Sequence, residues 1–417
     1  MLMRSSLWLV LAAWTLWAAP AADAQSPAQA KRFIIGFVPG ATSTQRESAL
    51  KSLGAAPVDL IEDFNAVVAE VPAGPAEFAV LEDKALANPL VAAIEEDVYI
   101  PNWLVDAEPS FQAMPLPSWA SVLAAIGAFK PKPVPWQRPA LPPGVDANEV
   151  PWGVLRVDAP AAWSKTMGEG VRVAVVDTGI DGSHPDLQGQ VAGCYNAFDS
   201  NASCMDDNSH GTHVSGTIAG LLDGKGVVGV APKARLYAVK VLDKNGGANL
   251  TSVIKGLVWC ANNNIQVANM SLGAPYGFIF LHWAVQYAHS KGVTVVAAAG
   301  NDGKSVGYPA AYPEVIAVSA SDPDDKIADF SSRGDRVAFI APGVHVKSSI
   351  PGGGYDFYDG TSMATPHVTG LAALAVSRGA GNPEAVRAAL NKAAKRLPGL
   401  GGLEQGGGMI DAALLAQ

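Results

Sequence analysis

Cysteine is almost absent, three residues in 417, which excludes a small fold stapled by disulfides and leaves stability to a packed core. Charge is scarce as well: 16% of residues are Asp, Glu, Lys or Arg, with a formal net charge of −9. No long basic run occurs, which argues against nucleic acid as a partner. Beyond the N-terminus no apolar run is long enough to cross a bilayer. Against these absences stand 49% hydrophobic residues, the composition of a globular protein with a filled interior. The length allows two domains and a processing segment.

Residues 1–24 read as a secretory signal peptide, with Arg4 as the positive start, an apolar stretch over 7–19, and Ala22-Asp23-Ala24 as the small-x-small cleavage pattern. Its removal leaves no membrane segment. In an exported chain Cys194 and Cys204 lie close enough in sequence for a disulfide. Cys260, in Ile254-Lys255-Gly256-Leu257-Val258-Trp259-Cys260, reads as an inert thiol on a buried helix face.

Residues 32–97 alternate strand and helix patterns (strands 32–38, 64–71 and 91–97, helices 42–53 and 76–86), which suggests a small open α+β sandwich. Nine prolines between 109 and 143 then mark a stiff extended linker over 105–147, with one short apolar helix expected at 118–130. From 148 onward apolar strands (171–176, 234–241, 267–271, 293–298, 315–319) alternate with helices (250–262, 279–290, 362–378, 383–394), the pattern of a parallel sheet covered on both faces. Asp177, Ser271 and Gly300-Asn301 fall where strands end, the side on which open α/β sheets place their sites.

Ser362, in Gly360-Thr361-Ser362-Met363-Ala364-Thr365-Pro366, opens an apolar helix, where exposed N–H groups favour negative charge. A serine there can be only a cap. Two further runs change that reading: Val175-Val176-Asp177-Thr178-Gly179, and Asn208-Ser209-His210-Gly211-Thr212-His213. A hydroxyl, an imidazole and a carboxylate are the parts of a Ser-His-Asp triad. Asp-Thr-Gly also marks aspartic peptidases, but those need two such carboxylates sharing a proton, and no second copy occurs. His210 and His213 lack the adjacent glutamate and third ligand of a zinc site, so His213 reads as structural. Gly303-Lys304-Ser305 ends like a phosphate loop, but position 298 is Ala298 where that motif needs glycine.

These blocks, in this order, resemble the subtilisin-like (subtilase) serine peptidases over residues 148–417. The resemblance implies an α/β fold, a doubly wound, mostly parallel sheet with helices on both faces. It also implies a serine endopeptidase in which Asp177 orients His210, His210 is the general base and Ser362 the nucleophile. Asn301 matches the oxyanion-hole asparagine. Residues 25–104 are similar to the ferredoxin-like propeptide of this family, an intramolecular inhibitor and folding template, so the chain is expected to be a secreted, autoprocessed zymogen acting as a monomer on polypeptide substrates. A catalytically silent binding protein on the same fold is the alternative.

By the same matching, Ser271-Leu272-Gly273 and Gly246-Gly247-Ala248 resemble the two edges that pair with an extended peptide. Ala298, Ala299 and Gly300 would wall the S1 pocket, with Gly307 at its base, leaving room for a large apolar or aromatic P1 side chain. Leu250 and Val253 would make S4 apolar. Matching tail lengths puts the first scissile bond near Trp103–Leu104, with Trp103 in S1 and Ile100 in S4. Asp186 and Asp223 match the family's strong calcium site, completed by the side chain of Asn148 and the carbonyls of Leu221, Lys225 and Val227. Two departures stand out: the 105–147 insertion, and a stretch from Asn301 to Gly307 shorter than in well-known relatives.

Overall fold

The computed structural model describes residues 30–71, 78–104 and 136–417. The signal peptide expected at 1–24 and the helix expected at 118–130 lie outside the described residues.

The N-terminal unit runs β1 (Lys31–Phe37), α1 (Ser43–Leu53), β2 (Ala56–Ile61), β3 (Ala66–Val71), α2 (Phe78–Leu86) and β4 (Val91–Glu96). Its antiparallel sheet has the order β2-β3-β1-β4. A capping box starts α1: Gln45 N–H donates to Thr42 Oγ1 and Thr42 N–H to Gln45 Oε1, and Gly54 ends the helix in the left-handed conformation. Strand β2 was not expected. It is an edge strand, mostly exposed, with Pro57 at a break in its register, so it shows no apolar alternation to read.

The alternation of β1 and β3 buries both sheet faces. Phe33, Ile35, Val67 and Ala69 pack with Leu50, Leu53 and Leu81 from the two helices. Ile34, Ala66 and Val68 face the other way, into a cluster with Ile254, Leu257, Phe280 and Ala284 of the larger domain. Two carboxylates fasten this face to helix ends. Glu95 accepts the N–H groups of Ile279 (2.8 Å) and Phe280 (3.1 Å), and Asp97 that of Thr251 (2.8 Å). After β4 the chain continues as β5 (Tyr99–Ile100).

The larger domain holds β6 (Arg172–Asp177), β7 (Val191–Asn196), β8 (Arg235–Lys240), the short β9 (Ala248–Asn249), β10 (Val267–Met270), β11 (Thr294–Ala298), β12 (Ile316–Ser321) and β13 (Val337–Pro342). Seven of these form one parallel sheet of order β13-β12-β11-β10-β6-β8-β7, and β9 pairs instead with β5. Val173 and Val175 face one core and Ala174 and Val176 the other, so β6 reads as a continuous apolar run. The helices Leu250–Asn262 and Ile279–Ser290 cover one face. His210–Ala219, Thr361–Ser377 and Pro383–Ala393 cover the other. The chain order reverses between β6 and β10, and this switch point brings Asp177 and Ser271 to one crevice. The doubly wound α/β class is as expected. Not expected were, among others, β7, half-exposed at one edge, β13, ending at the other on Pro342, and the hairpin of β14 (Val346–Ile350) and β15 (Gly354–Tyr358).

Residues 136–147 are not a free linker. Trp136 donates its indole N–H to the Pro323 carbonyl (3.2 Å), Arg156 lies over its ring at 5.6 Å, and Leu141 and Val145 pack on the core.

Candidate active site

Asp177 ends β6 fully buried, and Thr178 N–H donates to its Oδ1 (2.7 Å). His210 is the first residue of its helix, and its Nδ1 lies 2.9 and 3.0 Å from the two Asp177 oxygens. A carboxylate can only accept, so the ring proton sits on Nδ1 and Nε2 is the basic nitrogen. Gly211 is forced by space: a Cβ there would meet the Gly179 carbonyl at 2.1 Å.

The buried Asp206, which the sequence did not single out, clamps these two segments. Its Oδ1 accepts from Thr178 Oγ1 (2.8 Å), Asn208 N (3.0 Å) and Ser209 N (3.0 Å), and its Oδ2 from Thr212 N (2.9 Å) and Thr212 Oγ1 (2.6 Å). Gly211 N–H in turn donates to Thr178 Oγ1. Ser209, next to His210, holds a φ of 126°, a conformation that these bonds offset. The available sign was an aspartate just ahead of a helix start. Two residues before it, Cys204 is bonded to Cys194, and its carbonyl accepts Ile180 N–H. Cys260 is buried in its helix, and burial pushes its thiol far up.

Ser362 is the second residue of its helix and fully buried. Its hydroxyl donates to the Ser271 carbonyl (3.2 Å), and the Ser271 hydroxyl donates back to the Ser362 carbonyl (2.8 Å). Asn301 lies beside this turn. Its Oδ1 accepts Thr361 N–H and Thr361 Oγ1–H, both at 2.8 Å. The backbone donor fixes which way the amide faces, and its buried Nδ2 has no hydrogen-bond partner among the described residues. Asn301 Nδ2 is thus a donor left over, and the first-turn N–H of Ser362 has no partner four residues back within its helix.

The expected edge segments enclose the tail of the N-terminal unit. Ile100 and Tyr99 pair with Ala248 and Asn249, Trp103 N–H donates to the Gly246 carbonyl (2.8 Å), and Gly273 N–H to the Trp103 carbonyl (2.8 Å). Gly247 lies against Tyr99. A cavity of about 470 Å3 is lined by Gly273, Ala298, Ala299, Gly300 and Gly307, with Lys304 from the shortened stretch. Trp103 is not in it, contrary to expectation. Its ring is fully buried, donates Nε1–H to the Ala248 carbonyl (3.0 Å), and shares an apolar cluster with Leu250, Val253, Leu272 and Phe278. Pro101 follows the two paired residues without an N–H to continue the ladder, so a register counted along a straight strand fails. Leu104, beyond Trp103, lines the cavity.

His213 is buried and donates Nε2–H to the Val346 carbonyl (3.0 Å), and burial, with the charge of His210, pushes it down to about 3. At the expected calcium position Asp186 is buried and Asp223 exposed. Burial raises the Asp186 carboxyl and the Asp223 charge raises it further. Asp186 accepts Val227 N–H (2.8 Å) and Tyr355 O–H (3.1 Å), leaving lone pairs for a cation. Its backbone carbonyl accepts Leu221 N–H, and Lys225 N–H donates to Asp223. Asn148 is exposed and donates its amide to Asp146, while its neighbour Glu149 accepts Gly224 N–H, tying this segment to the same turn. Among the described residues no three His, Cys, Asp or Glu side chains cluster as a metal site, so the oxygens expected beside Asp186 and Asp223 are those of neutral carbonyls and an amide.

Comparison with known proteins bears on this geometry. A family model described as the subtilase family matches residues 168–409. Subtilisin E of Bacillus subtilis (strain 168) is 49% identical over 238 residues, 56% of this chain and 62% of its own length. Subtilisin of Bacillus pumilus is also 49% identical over 238 residues, covering 86% of that protein. Subtilisin Savinase of Lederbergia lenta is 50% identical over 230 residues, 84% of its length. The matched segment thus spans 62% of the length of Subtilisin E.

Proposed function

Because this chain belongs to the subtilase family, we propose that it is a serine endopeptidase that cuts polypeptides through an acyl-enzyme on Ser362. The observation that carries this reading is the buried Asp177 carboxylate holding Nδ1 of His210 with both oxygens. His210 Nε2 takes the Ser362 proton as the hydroxyl attacks the peptide carbonyl, then returns it to the leaving amine. Asp177 stabilises the imidazolium. Asn301 Nδ2 and Ser362 N–H receive the charge on the carbonyl oxygen. In the described state the hydroxyl donates to the Ser271 carbonyl, so the reaction requires it to turn to His210.

Substrate lies extended between 246–248 and 271–273, with a large apolar or aromatic P1 side chain in the small-walled cavity. The chain is a secreted zymogen in which residues 25–104 form the propeptide inhibitor, with the first cut beyond Leu104. Asp186 and Asp223, with the neighbouring carbonyls, would hold calcium, which would supply charge neutralisation and rigidity to the turn. A fluorophosphonate probe is expected to label the processed protein, but not Ser362→Ala, with peptide hydrolysis lost in parallel. An unlabelled wild type, or hydrolysis that survives Ser362→Ala, would overturn the reading and favour a silent binding protein.

A further inference from the structure

The helix that carries Ser362 contains Pro366. In an unbroken helix the N–H of residue 366 would donate to the carbonyl of residue 362, but proline has none. The Ser362 carbonyl, at a fully buried residue, therefore needs a donor from elsewhere. The Ser271 hydroxyl supplies it at 2.8 Å.

That hydroxyl is itself aimed. Asn269 Nδ2 lies 2.9 Å from Ser271 Oγ, and Thr369 Oγ1 lies 2.8 Å from Asn269 Oδ1. The direction of the chain follows from its end. A carbonyl only accepts, so the Ser271 hydroxyl donates to Ser362. Its oxygen then accepts from the Asn269 amide, which turns Oδ1 toward Thr369 and makes Thr369 the donor. Asn269, Ser271, Ser362 and Thr369 are all fully buried. Asn269 sits in the central strand β10, in register with Val296 on one side and Val175 on the other, where an amide is costly unless its bonds are made.

We propose that Asn269 is a positioning residue for the nucleophile. Through Ser271 it replaces the helix bond that Pro366 removes at Ser362, and through Thr369 it fastens the same helix two turns further on. The inference rests on the reading of Ser362 as nucleophile. Because Ser271 and Ser362 also exchange the reverse bond, from Ser362 Oγ to the Ser271 carbonyl, a shift of Ser271 displaces the attacking oxygen directly.

The test uses full-length, autoprocessed enzyme, quantified by active-site titration and assayed well below the Tm of each variant. Wild-type labelling at Ser362 by a fluorophosphonate, absent in Ser362→Ala, first secures the underlying reading; its failure is recognised there and not in the variants. Asn269→Ala is then expected to lower kcat and the labelling rate constant by about tenfold or more, with KM within about twofold, as for a slightly misplaced nucleophile. Thr369→Val should act in the same direction and Thr369→Ser should recover most of the loss. The Thr369→Val/Asn269→Ala pair should be no worse than Asn269→Ala, since both break one chain. If Asn269→Ala does not mature, Thr369→Val and Thr369→Ser decide alone. Variants that lower Tm while kcat and labelling rate per active site stay at wild-type values would overturn the proposal, as would strictly additive losses.

Discussion

Asn301 is aimed by the groups around it: Thr361 takes both available bonds to its oxygen, and the amide nitrogen is left over. Asn301→Ala should therefore cost about a hundredfold or more in kcat with little change in KM, a magnitude whose reference value comes from a subtilisin and is not independent of the family. Steady-state kinetics on titrated enzyme check it, and a loss confined to KM would reassign Asn301 to ground-state binding. Asp158 offers a pH test. It stands at φ 55° ahead of the short helix Ala159–Ala162, its Oδ1 buried and without a partner among the described residues. Burial first, then the Asp411 charge, push its carboxyl up to about 6, with Lys395 opposing. A folded-state pKa above the unfolded one means that stability falls as pH rises from the usual carboxylate range to about 6, and the penalty is complete above that. Asp158→Asn should stabilise the protein above pH 6, by about 1 kcal/mol after discounting the solvent-facing half, roughly 2–4 °C in Tm. Below pH 4 the melting curves should coincide.

The helices Leu250–Asn262 and Ile279–Ser290 begin without a side-chain cap of their own, and the N-terminal unit brings one to each, Asp97 and Glu95. Glu95→Ala should speed the dissociation of the cleaved N-terminal unit from processed enzyme by about fivefold, the equivalent of a cap worth about 1 kcal/mol, seen as an earlier onset of activity. An unchanged onset would leave that cap without a part in retention. The two helices were legible to the residue, because each carries an apolar face that meets the sheet. Strands buried on both sides, such as β6 and β11, were legible to within one residue. Strands β2 and β7 were not: on an edge, half the side chains meet water and no apolar run forms. The site divides in the same way. Asp177, His210, Ser362 and Asn301 sit in glycine-marked local runs that can be read in place. Thr361 and Asn269 act by bonds to segments distant in the chain, as Asp206 does through Thr178, and a buried polar residue of that kind looks like any turn or strand residue until the fold is known. Trp103 was misplaced because its position was set by matching tail lengths, and Pro101 breaks the regular ladder that such a match assumes.

Across the whole molecule, stability should depend on calcium if the ion binds only the folded state. On Ser362→Ala protein, which cannot digest itself, calcium at a hundred times its Kd should add about 2.7 kcal/mol, and chelator should remove it. Asp186→Asn should flatten the dependence, and melting curves that superimpose with and without calcium would remove the site. A separate dependence follows from the bond between Cys194, which is exposed, and Cys204, which is buried two residues from Asp206. In the reducing cytoplasm that bond is absent, and the loop that locks Asp177 to His210 loses its tether. Enzyme made there should turn over more slowly than enzyme oxidised afterwards, and Cys194→Ser should match the reduced form. Equal turnover in all three would confine the bridge to stability. On the proposed function, the bond would otherwise work as a safety catch for the producing cell, withholding full proteolytic power from a chain that has not yet been exported.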